Sequence, residues 1–168
     1  MKDRITIKNF NDKNGFHNLF QLYLSDLSQY NQNIEMDEKG LYPASWIDRD
    51  WELPEFIPLR IVQNHNTCGF ILLSKKPFTK LGTDWCIQEF FILRKFRNKG
   101  IGRSSIAQLF ANYSGSYSMA VMKDNVPALL FWEKALDLMG IQYKKEIDSE
   151  EGIDGLSYVF TVPNKLKK

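Results

Sequence analysis

The residue types best suited to chemistry in this sequence lie in one stretch, from Glu89 to Arg103. An apolar run ends there at a basic turn, and Gly100 and Gly102 then open a helical pattern. This order predicts a strand, a turn and a helix whose first backbone N–H groups lack helical partners. Glycines would let a phosphate reach those N–H groups, which carry partial positive charge. The basic side chains that would attract the same anion are Arg94, Lys95, Arg97, Lys99 and Arg103.

Glu89, at the head of this stretch, is a candidate general base. It interrupts an apolar run, where burial would raise the pKa of its carboxyl and make it a better proton acceptor at neutral pH. A structural role, in which Glu89 pairs with a neighbouring cation or a backbone donor, explains the residue equally well. Both interpretations stay open at this point.

Two common phosphate motifs fit the turn poorly. A P-loop needs G-x-x-x-x-G-K-[ST], and Gly100 has no such partners in the sequence. A dinucleotide fingerprint needs a third Gly or Ala where this chain has Ser105. The turn therefore binds a different kind of phosphate group, or none.

Hydrophobic spacing predicts the elements that position the turn. The pattern indicates an α/β (α+β) fold with a mixed, mostly antiparallel sheet of about six to seven strands flanked by helices, in the order βα(α)βββαβαββ. A strand at residues 117–122 must lie parallel to one at residues 85–93 if the helix between them is a crossover. The other strands are expected at residues 4–8, 59–63, 68–74, 141–147 and 156–162. Helices are expected after a cap at Asn11 and Asp12, as a short piece within residues 34–55, at residues 101–113 and after a cap at Asn125.

Composition narrows the class of protein. The chain has 168 residues, 43% of them hydrophobic, which favours one domain spanning residues 1–168. No apolar run approaches the roughly 18 residues of a membrane helix, and the N-terminus has no signal-like core, so we expect a cytoplasmic protein without a membrane partner. The net charge of +2 is too small to indicate nucleic acid, and the tail lysines at 165, 167 and 168 are expected to be solvated. Cys68 and Cys86 lie in apolar runs without metal-ligand spacing, so we expect reduced core cysteines and no metal.

The segment Arg97-Asn-Lys-Gly-Ile-Gly102, directly after a strand, resembles the R/Q-x-x-G-x-G/A motif of the GNAT superfamily of acyl-CoA-dependent N-acyltransferases. A second segment, Asn125-Val-Pro-Ala-Leu-Leu-Phe-Trp-Glu-Lys134, resembles the family's later signature, N-x-x-A at a helix start followed by an aromatic pair. The resemblance covers most of the chain. It is closest to bacterial GNAT proteins that carry E-F-F before the turn and F-W in the last helix.

The resemblance implies acetyl-CoA as co-substrate and assigns roles to individual residues. The Ile92 and Leu93 backbone would pair with pantetheine, Asn125 would hydrogen-bond the pantetheine arm, and Phe131 would pack beside it. A backbone N–H near Phe91 could polarise the thioester carbonyl if the strand bulges there. The residues that would cradle the pyrophosphate are Arg97, Asn98, Lys99, Gly100, Ile101, Gly102, Arg103 and Ser104.

The chain departs from the family pattern at Trp132, where many members have the tyrosine that protonates the leaving thiolate. An indole N–H cannot do so, which leaves Tyr117, Tyr143, Tyr158 or solvent for that step, and makes Trp132 a packing wall. The acidic, aromatic segment at residues 34–55, where the family builds its acceptor site, could attract a cationic amine or could be a solvated loop.

The leading hypothesis is an N-acetyltransferase that moves an acetyl group from acetyl-CoA to a primary amine, of a small molecule, by direct attack. The alternative is a non-catalytic GNAT-fold module that binds coenzyme A as a sensor or complex subunit. The sequence leaves open the acceptor amine, the acyl chain length and whether the chain is a monomer or a homodimer.

Overall fold

In the computed structural model, which describes residues 4–150 and 153–164, helices flank both faces of one seven-stranded sheet. The strands are β1 (Ile5–Asn9), β2 (Phe56–Gln63), β3 (Asn66–Lys75), β4 (Trp85–Ile92), β5 (Gly115–Met122), β6 (Tyr143–Glu150) and β7 (Ile153–Val162). The helices are α1 (Lys13–Leu27), α2 (Ser45–Asp50), α3 (Ile101–Asn112) and α4 (Val126–Leu138), with a 3₁₀ turn at Arg94–Phe96.

The sheet has the order β1-β2-β3-β4-β5-β7-β6. Every neighbouring pair is antiparallel except β4 and β5, which run parallel and are joined through α3. This confirms the mixed, mostly antiparallel sheet and the crossover that the sequence predicts. Residues 151–152, between β6 and β7, and the tail lysines lie outside the described residues.

The helix caps form as the sequence predicts. The Asp12 carboxylate accepts the N–H of Gly15 at 2.9 Å, and the Asn125 side-chain oxygen accepts the N–H of Ala128 at 3.2 Å. Strand β2 begins three residues earlier than predicted, before Pro58. Its ring nitrogen faces Phe10, where β1 has already ended, so the missing N–H interrupts no ladder.

Each face of the sheet carries its own hydrophobic core. On one face α1 and α2 bury an aromatic cluster against β3 and β4. On the other face α3 and α4 cover a larger core that includes residues of β2 to β5 and β7. The side chain of Gln108 on α3 also binds the edge strand β1, at the oxygen of Ile5 (2.6 Å) and the N–H of Ile7 (3.2 Å).

A β-bulge in β4 changes which face its side chains occupy. Leu72 of β3 lies opposite Glu89 and Leu73 lies opposite Ile87, so Gln88 is the extra residue. Side chains two apart on a regular strand share a face, but Ile87 packs into the α3 core while Phe91, two residues after Glu89, packs into the α1 core. The bulge therefore turns Glu89 toward α1.

Candidate coenzyme A site

Strands β4 and β5 separate beyond Ile87. Their pairing covers only Trp85–Ile87 against Tyr117–Met119, although both strands continue. The N–H of Leu93 donates to the oxygen of Cys68 on β3 at 2.8 Å. Backbone groups alternate along an antiparallel strand, so those of Phe90 and Ile92 face away from β3 and into the gap.

The turn before α3 presents a row of backbone N–H groups. Gly100 has a φ of +77°, in the left-handed region that glycine adopts without strain. The N–H of Ser104 makes the first helical hydrogen bond, to the oxygen of Gly100 at 3.0 Å. The N–H groups of Ile101, Gly102 and Arg103 precede that bond and point out of the helix end. A phosphate placed there would accept them.

Gly102 packs closely against an aromatic ring. A Cβ atom at this position would lie 3.0 Å from the ring of Phe131, tighter than ordinary van der Waals contact. The ring of Phe131 in turn stacks on Phe90, with centroids 5.3 Å apart and planes 11° from parallel. Glycine at this position lets the helix start approach the aromatic wall.

The gap and the turn open into one cavity of about 520 Å³. Its walls come from α1, β4, the turn, α3 and α4. Of the residues the sequence predicts for coenzyme A binding, those that line it are Ile92, Arg97, Asn98, Gly100, Ile101, Gly102, Arg103, Asn125 and Phe131. Leu93, Lys99 and Ser104 are not among the lining residues, and the Leu93 N–H is already bound to Cys68.

Arg97 contacts protein groups. Its Nε donates to the oxygen of Ile92 at 2.8 Å, and its Nη2 forms an ion pair with Asp26 on α1. Arg94 reaches the same carboxylate, with Nη2 2.7 Å from Oδ1. Burial raises the pKa of the Asp26 carboxyl, but hydrogen bonds and charge from Arg97 and Arg94 outweigh it and lower the pKa overall. These contacts fasten the turn to α1.

Glu89 does not line the cavity, but Tyr23 does. The Tyr23 hydroxyl donates a hydrogen bond to Oε2 of Glu89. Burial raises the pKa of the Glu89 carboxyl to about 7, and the hydrogen bond from Tyr23 opposes that rise. Among the described residues no Lys, Arg or His pairs with Glu89, so its partner is a tyrosine hydroxyl.

Trp132 is buried, with 5% of its surface exposed, and lines the cavity beside Phe90 at a centroid distance of 5.3 Å. None of the tyrosines considered in its place lines the cavity. The Tyr117 hydroxyl donates to the oxygen of Tyr113 at 2.5 Å, and the Tyr158 hydroxyl donates to Glu133 at 2.9 Å.

Sequence reasoning missed two cavity tyrosines, Tyr23 and Tyr30. Tyr23 belongs to the apolar stripe of α1, and its ring packs against Phe20 and Phe70, with centroids 5.3 and 5.6 Å away. Only its hydroxyl distinguishes it from the other core residues of that stripe. A hydroxyl within an otherwise apolar stripe, three residues before Asp26, was the available signal.

The acidic, aromatic segment does not form a wall of this cavity. Tyr42, Trp46, Trp51 and Phe56 pack against the α1 core. Its three aspartates have structural partners: Asp37 accepts the N–H groups of Lys39 and Leu41 at 2.9 Å each, Asp48 lies 3.3 Å from Lys13 Nζ, and Asp50 lies 2.7 Å from Arg49 Nε. This geometry favours the structural interpretation of the segment.

Other features lie away from the cavity. A second cavity of about 480 Å³ beside the β2–β3 turn contains none of the predicted site residues. Cys68 and Cys86 are buried and free, as predicted. Across residues 4–150 and 153–164, no three His, Cys, Asp or Glu side chains gather as a metal site would require. In the same residues no helix is long and apolar enough to cross a membrane.

Residues 16–137 match the family model described as the acetyltransferase (GNAT) family, and the chain belongs to this family. Solved structures with the same fold include an acetyltransferase from Thermus thermophilus, 16% identical, with a TM-score of 0.65 over 92% of this chain and 95% of that one. Ard1 from Thermoplasma volcanium is 19% identical, with a TM-score of 0.59 over 95% and 98% of the two chains.

A third structure, the CoA-dependent acyl-homoserine lactone synthase BjaI with SAM and isopentyl-CoA, is 9% identical, with a TM-score of 0.62 over 98% of this chain and 86% of that one. None of the curated protein sequences compared with the chain matches it significantly. The comparisons confirm the family and the fold. Family membership supports acyl-CoA-dependent N-acetyltransferase activity in general.

Proposed function

We propose that this protein, acting as a single domain, transfers an acetyl group from acetyl-CoA to a primary amine of a small molecule by direct attack. The observation that carries the proposal is the separation of β4 and β5 directly beside the N-terminus of α3. The gap offers free strand edges to an extended amide chain, and the helix end offers N–H groups to a phosphate. Coenzyme A has both parts, joined in that order.

The described residues fit coenzyme A at several points. Phe90 would pair with pantetheine through its backbone and Ile92 through its N–H, since the Ile92 oxygen already accepts Arg97 Nε. The amide nitrogen of Asn125 stays a donor because its oxygen serves as the helix cap. Ile101, Gly102 and Arg103 would bind the pyrophosphate through N–H groups. The positively charged Arg103 also lines the cavity.

Acetyl-CoA supplies an activated thioester, so the protein needs only to position it, deprotonate the amine and exclude water. The aromatic wall of Phe90, Phe131 and Trp132 gives an apolar setting beside the gap. Glu89, with a pKa of about 7, can accept a proton from an ammonium group near neutral pH. None of the three tyrosines predicted to replace the missing acid lines the cavity. The leaving thiolate would therefore take its proton from solvent or from one of the tyrosines that do line the cavity.

Calorimetric titration with coenzyme A tests the binding site. Gly100→Asp places a carboxylate at the phosphate position and should weaken binding by about a hundredfold or more, since like charges at close range cost several kcal/mol. Gly82→Asp is a matched control, because Gly82 also has a positive φ, of +68°, and open space around it, but lies outside the cavity lining. Equal affinity in the two variants would contradict the proposed site.

A non-catalytic module that binds coenzyme A is the second candidate. The observation that favours it is the buried Trp132 at the family's tyrosine position, with Tyr117 and Tyr158 bonded elsewhere. This candidate predicts the same coenzyme A affinity but no release of thiol from acetyl-CoA in the presence of any amine.

A further inference from the structure

Tyr23 stands between the cavity and Glu89. The tyrosine lines the cavity wall and the glutamate does not, while the tyrosine hydroxyl is bonded to the glutamate carboxylate. A base that does not reach the cavity needs a group that passes it a proton. A tyrosine hydroxyl can accept one hydrogen bond while it donates another, which suits it to this position.

The ring of Tyr23 is held in place by three aromatic neighbours. Phe20, Phe70 and Phe91 surround it, at centroid distances of 5.3, 5.6 and 5.6 Å. These rings come from α1, β3 and β4, so the helix and the sheet together hold the ring of Tyr23, and with it the position of its hydroxyl. Because the hydroxyl is already held in position, little conformational entropy is lost when it binds a substrate.

The charged group on α1 nearest to Tyr23 and Glu89 already has ion-pair partners. Asp26, one turn along α1, is bound by Arg94 and Arg97 from the turn. On the β3 side, the residue opposite Glu89 is the buried Leu72. Tyr23 is therefore the titratable group that faces Glu89 from the neighbouring elements within the described residues.

We infer that Tyr23 is a catalytic residue that contacts the acceptor amine and relays its proton to Glu89. In this step an ammonium N–H bond breaks as an O–H bond forms at Tyr23, while the original Tyr23 O–H bond breaks and one forms at Oε2 of Glu89. The amine keeps its electron pair for attack, and one proton has moved to the carboxylate. The inference rests on the proposed acetyl transfer.

The test compares Tyr23→Phe, Glu89→Gln and the double variant by kcat/KM across pH 5.5–9.5, using the best amine found for the wild-type protein. General base catalysis contributes about a hundredfold or more, so each single variant should lose about that much, and the double variant should lose no more than either. In both single variants the rise of the wild-type rate around pH 7 should disappear. Tyr42→Phe is the control, since it removes a hydroxyl from the same core outside the cavity lining, and it should keep wild-type rates.

A second readout does not depend on activity. In ¹³C NMR titrations without acetyl-CoA, the Glu89 carboxyl should titrate near pH 7 in the wild type and at higher pH in Tyr23→Phe, because the lost hydrogen bond favoured the ionised form. This shift shows that the variant is folded and that the pair exists in solution.

The outcomes separate the two hypotheses. If Tyr23→Phe keeps the wild-type rate at high pH and its pH profile merely moves upward, Glu89 acts directly and the relay is refuted. An unchanged Glu89 titration in Tyr23→Phe would also refute it. If the wild-type protein binds coenzyme A but acylates no amine, the proposed transfer itself fails and the relay with it.

Discussion

The Glu89 carboxyl is unusual because burial raises its pKa and only one tyrosine hydroxyl opposes that rise. Its pKa is about 7 in the folded protein, against an ordinary value of 4.5. Ionised carboxylates in proteins usually have a cation or several backbone donors as partners, and Glu89 has neither among the described residues. A group in this state binds and releases a proton near neutral pH, which is the property a general base needs.

The raised pKa predicts how stability depends on pH. Between about pH 4.5 and pH 7 the folded protein keeps a proton on Glu89 that the unfolded chain has lost, so the contribution of Glu89 to the unfolding free energy falls as pH rises. The difference amounts to on the order of 3 kcal/mol across this window. The side chain in Glu89→Gln does not ionise, so this variant lacks the pH-dependent loss. It should therefore gain stability relative to the wild type as pH rises.

Urea unfolding at pH 5 and at pH 8 measures this effect, with the exposed Glu146→Gln as control. The difference between Glu89→Gln and the wild type should grow in favour of the variant at the higher pH, and Glu146→Gln should follow the wild type. A constant difference at both pH values would mean that Glu89 titrates normally.

At the scale of elements, the proposed coenzyme A site depends on the separation of β4 from β5. The two strands pair for three residues and then leave the backbone groups of Phe90 and the N–H of Ile92 facing away from β3 without a partner strand, while the Ile92 oxygen accepts Arg97 Nε. The bulge at Gln88 lies at the same point and turns Glu89 toward α1. One short segment of β4 would therefore provide both the proposed binding edge for coenzyme A and the orientation of the proposed base, Glu89.

Amide hydrogen exchange followed by NMR tests this role of β4. Coenzyme A should slow exchange at the N–H of Ile92 and of Phe90, because pantetheine would pair with that edge. The N–H of Leu93 should change little, since it already donates to Cys68. Protection at Leu93 without protection at Phe90 and Ile92 would place the ligand elsewhere.

The sequence predicts elements well where local chemistry decides them. Asp12 and Asn125 cap their helices through side-chain bonds that act over three residues, so both helix starts could be predicted. The face of the sheet on which Glu89 lies could not be predicted. The extra residue, Gln88, reverses the sheet face of every side chain that follows it in β4. The partnership of Tyr23 with Glu89 spans 66 residues and depends on how α1 packs on the sheet.

At the scale of the whole molecule, the two cores meet at the cavity. Tyr23 and Asp26 come from the α1 side of the sheet, and Phe131 and Trp132 come from the α4 side. The turn before α3 is fastened to α1 by Arg94 and Arg97 through Asp26. The gap in the sheet lets one ligand contact both layers, which a fully paired sheet would prevent.

The most direct test of the account is thiol release from acetyl-CoA by the wild-type protein across a panel of primary amines, between pH 5.5 and 9.5. We expect saturable release with at least one amine, with a rate that rises through about pH 7 as Glu89 ionises. Coenzyme A binding without thiol release for any amine at any of these pH values would contradict the assignment as an N-acetyltransferase.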